Sequence, residues 1–295
     1  MTKKIYIARI IIAALMAVAP LLAGCGNWKK PAIRDDEDKK IQYLAVGGSG
    51  TNIPITRLLA EVFMEKNPDI KIEIPESLGS TGGIRSVNEG IIDIGMVSRE
   101  LFPGEKNPEL RYIPYAKVLI AFAVNGDLDI AGLSSQQLVG IYSGKISNWK
   151  AAGGPDENIT VLTREETDSS RLIWNSYIKG FSELDISKEA VLLTTDQAMN
   201  EAISSIENSI GWTDLGAKIL GGYNIRLLTL DGAEPTNEMA ASGKYPFIKE
   251  LAFVLKGEPD DKVSRFIDFV TGPQGTKILM ENGYMPFEQD DAKRK

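Results

Sequence analysis

The chain of 295 residues contains no histidine and only one cysteine, Cys25. Without histidine, the Ser-His and Cys-His pairs that activate nucleophiles are excluded, and so are metal centres with histidine ligands. A single cysteine can form neither an internal disulfide nor a thiolate metal cluster. The glycine-rich turns match neither G-x-x-x-x-G-K-[ST] nor G-x-G-x-x-G, the patterns of nucleotide-binding loops. The sequence therefore predicts a protein that is not an enzyme and that carries no cofactor and no metal.

Positive charge is also scarce, because 33 Lys and Arg residues stand against 40 Asp and Glu residues, which gives a formal charge of −7. Such an acidic chain is a poor candidate for binding nucleic acid, which depends on basic surfaces. The hydrophobic fraction of 43% and the charged fraction of 25% are typical of soluble globular proteins. A chain of 295 residues predicts two domains.

The N-terminus has an apolar run, residues 10–22, that is too short for a confident membrane span. The basic residues Lys3, Lys4 and Arg9 flank it, and it runs into Leu22-Ala23-Gly24-Cys25, which resembles a bacterial lipobox. We therefore expect residues 1–24 to be a lipoprotein signal peptide, Cys25 to be lipidated, and residues 25–40 to be a flexible tether. The mature protein, with a charge of about −10 instead of −7, would lie outside the cytoplasm on a membrane, in the periplasm of a Gram-negative host. An uncleaved N-terminal anchor is the alternative, and it also places the chain at a membrane surface.

From Ile41 onward, strand patterns alternate with helix patterns, which predicts an α/β fold with a mainly parallel sheet. Strands are predicted at 41–46, 70–75, 91–97, 159–162, 210–212 and 225–230, and helices around 55–63, 84–88, 134–144 and 196–205. Two long strand-like runs, 111–124 and 247–256, could pass between domains. Two helices at 260–271 and 274–281 have no strand of their own, and we expect them to pack on the first domain.

Three polar turns share one construction, because each follows a predicted strand and opens a predicted helix. They are Ser49-Gly50-Thr51, Ser80-Thr81-Gly82 and Asp168-Ser169-Ser170, with Arg164 at the strand end before the third. Each turn offers hydroxyls, free backbone N–H groups and the positive end of a helix dipole, while the arginine adds a fork of donors. Taken singly, such a turn is an ordinary capped helix. Together they predict an oxyanion site, because open α/β sheets bind ligands at their strand ends.

Six segments, met in this order, resemble the substrate-binding protein of phosphate-specific ABC transporters. They are GSGTNIP (48–54), GSTGGI (79–84), DIGMVSRE (93–100), GKISNWKAAGGPD (144–156), GWTDLG (211–216) and GPQGTKILMENGYMPF (272–287). The resemblance spans residues 41–287 and implies a type II periplasmic-binding-protein fold, in which two mixed-sheet α/β lobes joined by two crossover segments close over a ligand. Residues 41–118 and 245–295 would form lobe I, and residues 119–244 would form lobe II. The implied function is capture of inorganic phosphate for delivery to an ABC permease.

The resemblance also implies the ligand contacts. Arg164 matches the ligand arginine of the family, and Ser98 stands where some members place an aspartate that accepts the proton of monohydrogen phosphate. The remaining implied contacts come from the three turns: Ser49, Gly50, Thr51, Asn52, Ser80, Thr81, Gly82, Asp168, Ser169 and Ser170.

The third turn departs from the family pattern. Residues 164–171 read REETDSSR where RE-x-GSGTR is usual, so Asp168 places a carboxylate where a neutral donor normally meets the anion. Asp168 either accepts a hydrogen bond from a protonated oxyanion, which favours phosphate over sulfate, or caps its helix facing away, in which case the site prefers another ligand. The alternatives for the whole protein are therefore a binding protein for another oxyanion, or a sensor or surface-interaction lipoprotein with a degenerate site. Three tryptophans, Trp149, Trp174 and Trp212, are predicted to be core residues.

Overall fold

The computed structural model describes residues 41–287, so the predicted signal peptide, the lipidation site Cys25 and the tether lie outside the described residues. The strands are β1 (Gln42–Gly48), β2 (Ile70–Glu73), β3 (Ile94–Val97), β4 (Leu110–Asn125), β5 (Gly132–Leu133), β6 (Thr160–Thr163), β7 (Val191–Leu192), β8 (Ser209–Asp214), β9 (Ile225–Leu227), β10 (Thr229–Leu230), β11 (Ile248–Lys256) and β12 (Met285–Pro286). The α-helices are α1 (Ile53–Lys66), α2 (Gly79–Asn88), α3 (Ser135–Tyr142), α4 (Ser169–Tyr177), α5 (Asp196–Ser205), α6 (Leu215–Gly221), α7 (Asn237–Ala241), α8 (Asp261–Thr271) and α9 (Pro273–Glu281). Two short 3-10 helices, Pro103–Glu105 and Trp149–Ala152, complete the secondary structure.

The main sheet consists of two halves that repeat one strand order. The first half runs β2-β1-β3-β11-β4, and the second runs β7-β6-β8-β4-β9. Strand β4 belongs to both halves, because Leu110–Leu119 pair with β11 while Ile120–Asn125 pair with β8 and β9. In the first half, β1 pairs in parallel with β2 and β3, and β11 pairs antiparallel with β3. In the second half, β6 pairs in parallel with β7 and β8, and β4 pairs antiparallel with β8. The repeated mixed sheet, linked by the long strand β4 and by the chain entering β11, confirms the predicted two-lobed α/β architecture.

Two hydrophobic clusters form the cores of these halves. One draws its buried residues from 119–247 and contains Trp149, Trp174 and Trp212, which are 0%, 0% and 3% exposed, so the prediction of core tryptophans is confirmed. The other draws its buried residues from 44–118 and 251–284. This distribution supports the proposed division into lobe I and lobe II, although Tyr245 and Phe247 pack in the cluster of lobe II.

The C-terminal helices pack on the core of lobe I, as expected. The apolar side chains of α8, which recur at helical spacing, are buried in that cluster: Val263, Phe266, Ile267 and Val270. The expectation that this tail contains no strand was wrong, because β12 pairs antiparallel with Lys117 and Ala116 of β4. Two residues that end in proline carry too little periodicity to be recognised as a strand.

Helix α2 begins at Gly79, five residues before the predicted start at 84. Its glycines allow it to pack directly on the backbone of the sheet, since a Cβ at Gly83 would lie 2.9 Å from Cα of Gly48. The poor helix propensity of glycine is therefore overridden by close packing. The early start brings Ser80 and Thr81 into the first helical turn, where backbone N–H groups have no partner within the helix.

Candidate functional site

A cavity of about 330 Å³ lies where the strand ends of the two lobes face each other. Four helix starts converge on it, those of α1 and α2 from lobe I and those of α4 and α5 from lobe II. Seven predicted site residues line it: Ser49, Gly50, Ser80, Thr81, Arg164, Asp168 and Ser169. Five do not: Thr51, Asn52, Gly82, Ser98 and Ser170. Other lining residues were not predicted, among them Ser77, Arg99, Thr194, Thr195 and Asp196.

The first turn is shaped by Gly48, whose φ of 144° and whose contact with the backbone of Met96 admit no side chain. The N–H of the next residue, Ser49, donates to the Met96 carbonyl at 2.9 Å, and Ser49 lines the cavity. Asn52 is turned away, because its amide donates to the Val97 carbonyl at 3.3 Å and to the Tyr115 hydroxyl at 2.9 Å. The prediction that Asn52 is a ligand donor therefore lacks support from its position.

The second turn is stabilised by a charged cluster at the rim of the cavity. Arg99 donates to both carboxylate oxygens of Glu105, at 2.7 and 2.8 Å, and also to the Thr81 hydroxyl at 2.8 Å. Burial raises the pKa of Glu105, but the hydrogen bonds from Arg99 and from the Phe102 N–H outweigh it and hold the pKa below its usual value. Arg99 is thus held by a neighbouring carboxylate, and Thr81 is engaged with that pair.

A row of three serine hydroxyls crosses from one lobe to the other at the cavity. The Oγ of Ser98 lies 2.8 Å from the Oγ of Ser49 and 2.9 Å from the Oγ of Ser169. The N–H of Ser98 also donates to the Oγ of Ser80, at 3.2 Å. Ser98 therefore contacts all three predicted turns although it does not line the cavity.

In lobe II, Asp168 performs two tasks. It is the N-cap of α4, with Oδ1 accepting from the N–H groups of Ser170 and Arg171, both at 3.1 Å. Its Oδ2 accepts from Nε and Nη2 of Arg164, at 3.3 and 3.2 Å. Asp168 caps its helix, as the second of the two predicted alternatives has it. Its side chain does not face away from the cavity, however, because it also binds Arg164. Ser170 is 2% exposed and lies behind the cavity wall, so the prediction that it contacts a ligand lacks support from its position.

Arg164 is 8% exposed, and its guanidinium is only partly engaged. Nη2 lies 3.7 Å from Oδ2 of Asp196, and Nη1 is buried without a hydrogen-bond partner among residues 41–287. A buried cationic donor without a partner is costly unless a ligand satisfies it. The Arg164 guanidinium therefore has a buried hydrogen-bond donor that a bound anion would satisfy.

Among the residues that escaped the sequence prediction, three lie where the lobes meet: Asp196, Gln197 and Lys249. They come from the start of α5 and from β11, and Thr195 caps α5 by accepting from the Ala198 N–H at 3.1 Å. The missed signal is a fourth strand-turn-helix unit, LLTTDQA (192–198), which repeats the construction of the other three. It escaped because β7 has only two residues, Val191 and Leu192, which are too few to show the alternation of a strand.

Buried charges lie beneath the cavity. Lys249 is 1% exposed and Asp214 is 3% exposed. Burial raises the pKa of Asp214 to about 7, although a hydrogen bond from the Ala217 N–H and the charge of Lys249 act in the opposite direction. Within residues 41–287 no group of three or more Asp, Glu, Cys or His side chains could hold a metal ion.

Comparison with known proteins places this geometry in a family. Residues 35–274 match the PBP superfamily domain. The chain is 30% identical over 295 residues to the phosphate-binding protein PstS of Bacillus subtilis, covering 97% of this chain and 95% of that protein. It is 28% identical over 284 residues to PstS of Borreliella burgdorferi, covering 94% of this chain and 98% of the relative. Among solved structures, it is similar to a phosphate-bound substrate-binding protein described as that of a putative phosphate ABC transporter from Clostridium perfringens. That comparison has a TM-score of 0.75 and 27% identity, and it covers 84% of this chain and 100% of the other.

Proposed function

Because the chain belongs to the PBP superfamily and, within it, to the family of the phosphate-binding protein PstS, we propose that it captures inorganic phosphate in the cleft cavity and delivers it to an ABC permease. The observation that carries this proposal is the buried Nη1 of Arg164, which has no partner within residues 41–287 and belongs to a cavity ringed by helix starts. Such a site binds an oxyanion through local donors, against the repulsion expected from a chain with a net charge of −7.

The proposed ligand contacts are divided between the lobes. Lobe I contributes the hydroxyls of Ser49 and Ser80 with the N–H groups of the first turns of α1 and α2. Lobe II contributes Arg164 and Ser169. The Ser98 hydroxyl orients Ser49 and Ser169 from behind, because it lies within hydrogen-bond distance of both. Since donors from both lobes converge on one cavity, binding would stabilise the closed arrangement of the lobes.

Asp168 is best assigned to holding Arg164. Its two oxygens are already engaged by the start of α4 and by the guanidinium, which fixes the direction of the arginine side chain. The residue that departs from the family pattern would therefore support the ligand arginine instead of contacting the proton of phosphate.

The test is calorimetric titration of phosphate-free protein with phosphate. We expect a single site in the wild type, and we expect Arg164→Ala to lower the phosphate affinity at least about 100-fold, since it removes charge-assisted hydrogen bonds. Arg226→Ala is the matched control, because Arg226 is a partly exposed arginine of lobe II that does not line the cavity. An Arg164→Ala variant with wild-type affinity would remove the basis of the proposal.

Membrane attachment is a separate part of the proposal and depends on the lipobox at Cys25. None of the helices within residues 41–287 is long and apolar enough to cross a membrane. We propose that a lipid on Cys25 holds the protein at the outer face of a membrane, in the periplasm if the host is Gram-negative. Cys25→Ser should abolish metabolic labelling with palmitate and release the protein from the membrane fraction, and unchanged labelling would contradict the proposal.

A sensor or surface-interaction lipoprotein with a degenerate site is the second candidate. The observation in its favour is that two carboxylates, those of Asp168 and Asp196, lie within 4 Å of the Arg164 guanidinium and partly neutralise it. A wild-type protein that shows no heat of binding and no thermal shift with phosphate, sulfate or arsenate would favour this candidate over transport.

A further inference from the structure

Because the two lobes repeat one strand order, each turn at the cavity in one lobe corresponds to a turn in the other lobe. The turn from β1 into α1 corresponds to the turn from β6 into α4, and the turn from β2 into α2 corresponds to the turn from β7 into α5. Asp196, the first residue of α5, thus occupies in lobe II the place that the Ser80 turn occupies in lobe I. Asp196 lines the cavity.

Asp196 reaches across the cleft and is held there by a chain of hydrogen bonds. Buried Lys249 donates to Oγ1 of Thr51 at 2.8 Å, and the Thr51 hydroxyl donates to Oδ1 of Asp196 at 3.3 Å. The Lys249 Nζ itself lies 3.9 Å from Oδ1. The neighbouring residue, Gln197, donates to the Gly50 carbonyl of lobe I at 3.1 Å. The start of α5 is therefore fastened to lobe I at two points.

Three carboxylates line the cavity, and Glu165 is exposed to solvent, whereas Asp168 and Asp196 are partly buried. The two partly buried carboxylates differ in their remaining capacity to accept hydrogen bonds. Both oxygens of Asp168 already accept hydrogen bonds, two from backbone N–H groups and two from the Arg164 guanidinium. In Asp196, only Oδ1 accepts one. Within the described part of the chain, the nearest cationic nitrogen to Oδ2 of Asp196 is Nη2 of Arg164, at 3.7 Å, which is too far for a hydrogen bond. Of the two partly buried carboxylates, Asp196 is thus the one with an oxygen, Oδ2, that retains capacity to accept a proton donor.

We propose that Asp196 is the specificity-determining residue of the site, with Oδ2 accepting the hydrogen bond of the protonated oxygen of monohydrogen phosphate. This inference rests on the proposed function. After its second ionisation, at about pH 6, inorganic phosphate is monohydrogen phosphate. Its third ionisation requires strongly alkaline solution, so at pH 8 it still carries one proton that it can donate. Sulfate carries none, and its oxygens would meet the lone pairs of an ionised carboxylate in a partly dry cavity. The role of carboxylate acceptor, which Ser98 cannot fill, thus belongs to a residue on the other lobe.

The experiment compares the affinities for phosphate and sulfate at pH 8 by calorimetry in the wild type, Asp196→Asn and Asp168→Asn. An asparagine retains an acceptor for phosphate and offers an N–H to sulfate. We therefore expect Asp196→Asn to lower the phosphate-to-sulfate affinity ratio at least about 100-fold, with tighter sulfate binding as part of that change. Asp168→Asn should alter both affinities in the same direction and leave the ratio within about threefold, because Asp168 acts through Arg164, which binds either anion.

Glu166→Gln is the matched control for the loss of one negative charge, since its side chain is 88% exposed and does not line the cavity. A thermal melt of each variant establishes that it is folded. An Asp196→Asn variant that keeps the wild-type ratio overturns the inference, and so does a ratio that collapses only in Asp168→Asn. Failure of the proposed function gives a different result, since the wild type itself would then not bind phosphate.

Discussion

At the scale of single residues, the cleft is notable for ionisable groups buried beside one another. Arg164 lies between Asp168 and Asp196, and Lys249 lies beside Asp196. Taking such groups out of water costs free energy that their attraction only partly returns, so apolar residues would stabilise the fold as well or better. A functional role is the simplest reason for their presence, and we expect their removal to affect anion binding more than folding.

Asp214, beneath the cavity, provides a test that depends on pH. Burial raises its pKa to about 7 in the folded protein, whereas the ordinary pKa of an aspartate in an unfolded chain is 3.8. Because the folded-state pKa is raised, the carboxyl group contributes stability that is fully present below pH 3.8 and is lost as the pH rises to about 7. Relative to Asp214→Asn, the wild type should therefore lose about 2 kcal/mol of unfolding free energy between pH 5 and pH 8.

The measurement is urea unfolding of both proteins at several pH values in phosphate-free buffer. Asparagine preserves the cap, in which Oδ1 of Asp214 accepts from the Ala217 N–H at 2.7 Å, so the comparison isolates the ionisation. A difference in stability that stays constant from pH 5 to pH 8 would show that Asp214 has an ordinary pKa.

At the scale of elements, the parts that sequence patterns predicted are those with strong periodicity. Helix α5 occupies the predicted range 196–205, and β4 and β11 match the two long strand-like runs within one residue at each end. The early start of α2 depends on contact with β1, which lies about thirty residues earlier in the chain and leaves no local signal. The two exposed residues of β7 are a strand only because β6 pairs with them, so the turn that follows, with Asp196, could not be placed by pattern alone.

Helix α4 shows what a single cap contributes to such an element. Asp168→Ala removes both the cap and the ion pair with Arg164, while Asp168→Ser removes the ion pair but keeps a side chain that caps well. We expect the serine variant to be more stable than the alanine variant by about 1 kcal/mol in urea unfolding. Serine is also the residue usual at this position in the family pattern.

The same two variants separate the effect of the helix cap from the effect of the ion pair with Arg164. Both variants lack the ion pair, but the serine variant regains the neutral donor of the family pattern, so its phosphate affinity should be at least as high as that of the alanine variant. Equal stabilities would indicate that α4 does not depend on a side-chain cap.

At the scale of the whole molecule, the family resemblance predicted the two lobes and the position of the cleft, and the repeated strand order accounts for both. Local patterns could not predict which side chains cross the cleft, because those contacts depend on how the lobes meet. Ser98 meets Ser169, Thr51 meets Asp196 and Gln197 meets Gly50, and each pair joins residues at least 71 positions apart. Seven of the twelve residues predicted for the site line the cavity, while Asp196 and Lys249 were recognised only in the three-dimensional structure.

The arrangement of the two lobes leaves little room for a side chain at Gly50. A Cβ at this position would lie 2.5 Å from Oδ2 of Asp196 and 3.0 Å from Oε1 of Gln197, both on the opposite lobe. Gly50→Ala should therefore hinder closure while leaving each lobe intact. We expect the phosphate affinity to fall about tenfold, as for a small overpacking, with no loss of unfolding free energy.

Small-angle scattering provides the direct measure of closure, since addition of phosphate should reduce the radius of gyration of the wild type at lower concentrations than that of Gly50→Ala. Gly104→Ala is the matched control, because a Cβ there meets no heavy atom within 4 Å. If Gly50→Ala binds phosphate as tightly as the wild type, the start of α5 must be free to move away from lobe I in the bound state. In that case the hydrogen bond from Gln197 to Gly50 would not belong to the closed, liganded form.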